Sequence, residues 1–147
     1  MVSFAVPCGR VLFLPGQFDQ HSRKSNRQGF NLNGDSRDVH AKIADLQYMF
    51  GNTRTGEALS FLRANIFNRA REGASKVVIV LTDGESQDEV KAAASKLIGD
   101  KAFLFAVGIG DTVNRQQLQD IAGLKEYLFE IANYNAIEGQ FKLSFDV

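Results

Sequence analysis

Lys76 to Gly84, reading KVVIVLTDG, constrains this chain more than any other stretch. Val77 to Leu81 are five consecutive apolar residues, four of them β-branched. So short a run, without polar alternation, predicts a strand buried on both faces, as in a parallel sheet covered by helices. Thr82-Asp83-Gly84 then turn sharply polar. Taken alone, Asp83 reads first as a turn acid ahead of Gly84. In open α/β sheets, however, ligands sit just beyond the carboxyl ends of strands, and Asp83 stands at that point.

The flanking pattern alternates helix and strand. Asp35 and Asp38 mark a helix start, since acids suit the exposed first-turn amides, and Val39, Ile43, Leu46, Met49 and Phe50 follow at helical spacing. This predicts a helix over 36–49. A polar loop at 51–56 leads to a second helix, with Leu59, Leu62 and Ile66 on one face, running to about Arg71. After the strand at 76–82, Ser86 and Glu89 suggest a capping box for a helix with Val90, Ala93, Ala94 and Leu97 inward, ending near Gly99. A strand is predicted at 102–107. Asn114 and Gln117 cap a short helix with Leu118 and Ile121 inward, stopped at Gly123. A last strand at 127–131 and a terminal helix from 135 to about 143 complete the pattern. Such alternation implies a doubly wound, mainly parallel sheet with helices on both faces. Residues 1–29 resist assignment, apart from a short strand at Val11–Leu14 ended by Pro15-Gly16.

Composition narrows the partners. The chain has 147 residues, one domain's worth, and 17 basic residues balance 17 acidic ones. That balance gives no electrostatic footprint for nucleic acid or an anionic membrane. Arg23, Lys24 and Arg27 beside His21 form a local basic excess in a polar stretch, which reads as solvated. No apolar run is long enough to span a bilayer, and the opening MVSFAVPCGRVLFLPG lacks the basic start of a signal peptide. Cys8 is the single cysteine, so no internal disulfide forms; a buried thiol and a bridge to another chain both stay open.

Four motifs in order carry a resemblance. GNTRTGEAL at 51–59, VVIVLTDGES at 77–86, FAVGIGD at 105–111 and the run from Ile121 to Ile137 resemble a von Willebrand factor type A domain. The likeness is closest to those of extracellular matrix proteins, non-fibrillar collagens and matrilin-like proteins among them. FNLNGDSRDVHAKIADLQYMF also looks like the piece leading from that domain's edge strand to its second helix. The resemblance covers residues 30–147, leaving 1–29 as an unassigned segment, and implies a Rossmann-like sheet with one antiparallel edge strand. It further implies an extracellular, non-enzymatic adhesion domain that binds matrix proteins such as collagens, or cell-surface proteins.

Domains of this kind hold a divalent cation in a metal-ion-dependent adhesion site, where a partner's carboxylate completes the coordination. Matched residue by residue, the resemblance assigns Thr53 and Asp83 as ligands. The third contribution, a DxSxS segment after the first strand, occurs nowhere in this chain. If Val11–Leu14 replaces that strand, Pro15 falls where the acid belongs and Gln17 where a serine belongs, with Asp19 a weak third candidate. One hydroxyl and one carboxylate are few donors for a strongly hydrated cation, so the expectation is no cofactor, or weakly bound Mg²⁺ or Mn²⁺. The domain also reads as incomplete at its amino end, and a missing first strand would leave 76–82 with unpaired backbone groups unless residues 10–15 cover it.

Other constellations are weaker. Gly108-Ile109-Gly110 lacks the third glycine of a dinucleotide loop and reads as a strand-ending turn. His21 and His40 have no partner at ligand spacing. Glu57, Glu85 and Asp111 stand near strand ends, where acids are ordinary. The alternative function is an α/β hydrolase or nucleotide-binding protein using Asp83 at the carboxyl end of the sheet, and neither a nucleophile–base pair nor a phosphate loop supports it.

Overall fold

The computed structural model describes residues 2–7, 12–15, 41, 53–67, 72, 73, 75–133 and 135. The expected edge strand at FNLN lies outside these residues, as do the expected helices at 36–49 and 135–143 except for Ala41, which is helical as expected, and Asn135, which is in a 3₁₀ turn. Cys8, Asp19, His21 and His40 also lie outside the described residues.

Among the described residues, five strands form one sheet. They are β1 (Val2–Pro7), β2 (Leu12–Pro15), β3 (Lys76–Thr82), β4 (Ala102–Ile109) and β5 (Leu128–Ile131), in the order β2-β1-β3-β4-β5. The apolar run read from the sequence is β3, in the middle. β3 pairs in parallel with β4, Val78 opposite Leu104 and Val80 opposite Ala106. β4 pairs in parallel with β5, Val107 opposite Phe129. Three helices join or precede these strands: α1 (Thr55–Asn65), α2 (Lys91–Gly99) and α3 (Arg115–Ala122). Parallel neighbours need a crossover, and α2 and α3 supply the two required here.

The other flank of β3 corrects one expectation. The segment beside it is Val2–Pro7, not residues 10–15, and it runs antiparallel, from Val2 opposite Leu81 to Pro7 opposite Lys76. β2 then folds back along β1 as the outer strand, with Pro15 opposite Val2. The signal was present in V-S-F-A-V-P, where Val2, Phe4 and Val6 alternate with smaller residues at strand period. The backbone groups that β3 would otherwise expose are paired by β1, and Pro15 on the outermost strand has no amide to offer a further neighbour.

Both faces of β3 and β4 are packed. Val78, Val80, Leu104 and Ala106 meet Leu59 and Leu62 of α1, Ala94 and Leu97 of α2, and Leu118 and Ile121 of α3. Leu81, Val107, Ile109 and Ile131 form a second cluster with Ile79 and Phe129. Val107 is 0% exposed, which explains why the strand sequences show no polar alternation.

Helix ends differ from expectation for local reasons. α1 stops at Asn65 rather than near Arg71, where the Asn65 side-chain amide donates to the Phe61 carbonyl (3.0 Å) and Ile66 is the C-cap. Asn side chains compete for backbone groups in this way at helix ends. α2 starts at Lys91 with Val90 as N-cap, and no side chain of Val90 caps it. Glu89 accepts the Ala92 amide (3.0 Å), but Ser86 is used elsewhere, so the expected capping box does not form. Asn114 does cap α3, accepting the Gln117 amide at 3.1 Å, and Gly123 ends it at φ 73°. β5 starts at Leu128 because Lys125–Tyr127 form a 3₁₀ turn.

Arg63 of α1 donates to Asp100, just past α2, at 2.6 and 3.2 Å. This hydrogen bond holds the Asp100 carboxyl below its ordinary value. A lowered folded-state value means the pair stabilises the fold above the unfolded carboxylate range, and the contribution is lost as pH falls through the lowered value. Arg63→Ala is expected to return the Asp100 titration, followed by carboxyl NMR shifts, towards the ordinary range. An unchanged midpoint would rule out Arg63 as the cause.

Candidate functional site

The carboxyl end of β3 carries the loop of one candidate ligand, Asp83, and the Thr53 loop is joined to it. Thr82 is buried, and its hydroxyl donates to the Gly84 carbonyl (2.9 Å) while accepting the Gly84 amide (3.3 Å). This small turn carries Asp83 outward, where it is exposed. The Asp83 carbonyl also accepts the Thr112 hydroxyl from the loop after β4. Asp83 is therefore fixed by its backbone from two sides.

Thr53 is half-buried and lies two residues ahead of α1. Its carbonyl accepts the Gln87 amide at 2.8 Å, which ties its loop to the segment just after Asp83. The structure thus brings the Thr53 loop, the Asp83 loop and the loop after β4 together at one end of the sheet. Asp19 lies outside the described residues. The strand before it, β2, ends at Pro15, level with Val2 and through it with Leu81. The chain therefore leaves β2 at the same end of the sheet as Asp83, two strands away.

Sequence reasoning missed the residues that join these loops. The first three amides of α1 have no local side-chain cap, because the N-cap is Arg54. Thr55 donates instead to Ser86 Oγ (2.8 Å), Gly56 to Asp88 Oδ1 (3.0 Å) and Glu57 to Asp88 Oδ2 (2.7 Å). Ser86 Oγ in turn donates to Asp88 Oδ1 at 2.6 Å. The Gln117 side chain bonds both sides of Ser86, accepting its amide (2.8 Å) and donating to its carbonyl (2.9 Å). A signal existed in GESQDEV, which holds more hydroxyls and acids than one helix start can use.

The remaining acids have ordinary partners. Glu57 pairs with Arg54, Glu85 accepts from the Asn114 side chain (2.8 Å), and Asp111 is exposed. Gly108 is needed for packing: a Cβ there would meet Leu118 Cδ1 at 2.6 Å. The Gly108-Ile109-Gly110 run therefore seats a helix against the sheet, as the strand-ending reading expects, and offers no phosphate loop. Among the described residues, no group of three or more His, Cys, Asp or Glu side chains is placed to hold a metal ion. Thr53 and Asp83 by themselves do not fit a tightly held Mg²⁺, which prefers several oxygens in octahedral geometry. No described helix is long and apolar enough to cross a membrane.

Comparison with known proteins agrees with this architecture. The profile of the von Willebrand factor type A domain matches residues 18–143. Human matrilin-1 is 40% identical over 106 residues, covering 69% of this chain and 21% of matrilin-1. The collagen alpha-1(XXI) chain of Xenopus laevis is 39% identical over 102 residues, covering 68% of this chain and 11% of the collagen. This chain thus spans only a small part of those relatives. Proximal thread matrix protein 1 from the mussel byssus, solved with a zinc-occupied MIDAS motif, shares the fold with a TM-score of 0.69 at 22% identity, over 95% of this chain and 32% of its own. The chain belongs to the von Willebrand factor type A domain family.

Proposed function

We propose that this chain is a protein-binding adhesion domain of extracellular matrix type. The observation that carries the reading is the union of the Thr53, Asp83 and Thr112 loops at the carboxyl end of β3, with Asp83 exposed. Matrix or cell-surface proteins are the partners it fits; the net charge of zero gives no purchase on nucleic acid. The domain works outside the cell and converts no substrate. Thr53 and Asp83 are the remaining ligands of its metal-ion-dependent adhesion site, with Asp19 the reserve candidate. With only these donors, Mg²⁺ or Mn²⁺ binds weakly or not at all, so adhesion rests on the loops and helical faces themselves.

Two measurements test this. Immobilised collagens I and VI should retain the chain equally in Mg²⁺ and in EDTA; loss of retention on chelation would overturn the metal-independent reading, and no retention by any matrix protein would overturn the adhesion reading. Calorimetric titration with Mg²⁺ and Mn²⁺ should give no saturable micromolar heat, with Asp83→Ala indistinguishable from the parent. Micromolar binding abolished by Asp83→Ala would mean that another residue completes the ligand set.

A further inference from the structure

We propose that Asp88 is a positioning residue for the adhesive end of the domain, holding the Thr53 loop against the Asp83 loop in place of a bound cation. The proposal rests on the assignment of that end as the binding face. A cation bridging two loops would supply positive charge that draws their oxygens together. Here the same two loops are joined by the opposite arrangement, a carboxylate on one loop and helix-start amides on the other. Asp88 Oδ1 and Oδ2 accept from Gly56 and Glu57, 32 and 31 residues away in sequence. Ser86 extends the set to Thr55, so each of the first three amides of α1 is satisfied from across the site.

Three features make this a brace and not a passing surface contact. An anion at a helix start is favoured by the exposed amides and by the helix dipole, and charge-assisted bonds are the stronger kind. Ser86, buried, donates to Oδ1 and fixes the carboxylate's orientation, while Gln117 of α3 holds both backbone groups of Ser86. Finally, the loop approaches so closely that a Cβ on Gly56 would lie 2.1 Å from the Glu89 carbonyl oxygen. The loop geometry is therefore built from the protein's own groups, and Thr53, two residues before the braced helix start, is held whether or not a metal is present.

Amide hydrogen exchange of the intact chain, read by NMR, tests this without any partner. Protection at Gly56 and Glu57 is expected to fall about tenfold to a hundredfold in Asp88→Ala, in line with loss of two bonds to a charged acceptor. Asp88→Asn, which keeps one good acceptor oxygen, should fall in between. Protection at Val78, Val80 and Leu104 in the sheet should stay within about twofold of the parent, which separates a local brace from general destabilisation. Adding diamagnetic Mg²⁺ or EDTA should leave protection at Gly56 and Glu57 unchanged. Unchanged protection in Asp88→Ala, equal losses in the sheet, or a tenfold gain with Mg²⁺ would each overturn the proposal. Failure to bind matrix proteins would leave these exchange rates untouched, so the two readings fail separately.

Discussion

Replacing Gly56 by alanine is expected to destabilise the domain by about 1–3 kcal/mol, the usual range for overpacking. The sign is the informative part. Gly56 is the second residue of α1, where alanine ordinarily helps by about 0.5–1 kcal/mol through lower chain entropy. At this site the added methyl would stand 2.1 Å from the Glu89 carbonyl oxygen and 3.1 Å from Asp88 Oδ2. Both contacts are to the loop that caps the helix, and the nearer one is backbone, which cannot swing aside like a long side chain. To accept the methyl, the loop must back away by about an ångström, which lengthens the bonds from Gly56 and Glu57 to Asp88. The loss is thus steric and electrostatic together. Urea unfolding followed by circular dichroism measures it; a stabilised Gly56→Ala variant would show that the loop approaches less closely than described.

Which parts of this arrangement could be read from the sequence follows from the range of the forces involved. β3 and β4 were legible because burial on two faces leaves an unbroken apolar run, as in Val77–Leu81 and Leu104–Val107, whereas β5 holds the exposed Glu130 and has no such run. Ala93, Ala94, Leu97, Leu118 and Ile121 were legible because one helical face must be apolar to meet that sheet. Ser86 was misread for a physical reason. A serine three residues before a glutamate satisfies the local rule for a helix start, yet its hydroxyl serves a helix 31 residues earlier, and no short-range pattern encodes that choice. Gln117 was misread in the same way, taken as half of a local cap when its amide reaches back to Ser86. Thr53 and Asp83 are candidates only through the family resemblance; spacing alone leaves Asp83 a turn acid. β1 was overlooked because Pro7, Cys8 and Gly9 interrupt a segment whose alternation spans only Val2–Val6.

Leu104→Ala and Phe103→Ala should separate sharply although the residues are adjacent. Successive side chains of a strand point to opposite faces, so the pair samples both sides of β4 within one step of chain. Leu104 is 1% exposed, lies opposite Val78 in the parallel register, and belongs to the cluster shared by all three described helices. Its truncation removes buried methyl groups and leaves a cavity that rigid neighbours on β3, α2 and α3 fill only in part, at a cost of about 2–5 kcal/mol. Phe103 is 47% exposed. Its ring meets Tyr127 edge-on with centroids 6.4 Å apart, an arrangement that adds about 0.5–1.5 kcal/mol beyond area burial. Half of its surface is already in water, so Phe103→Ala should cost about 1 kcal/mol and leave no closed cavity. Chemical denaturation of the two variants, compared at equal m-value, reads the difference directly. Equal losses would mean that the face carrying Phe103 is as closed as the helical one, and the assignment of α1, α2 and α3 to the Leu104 side as the main stabilising layer would fall.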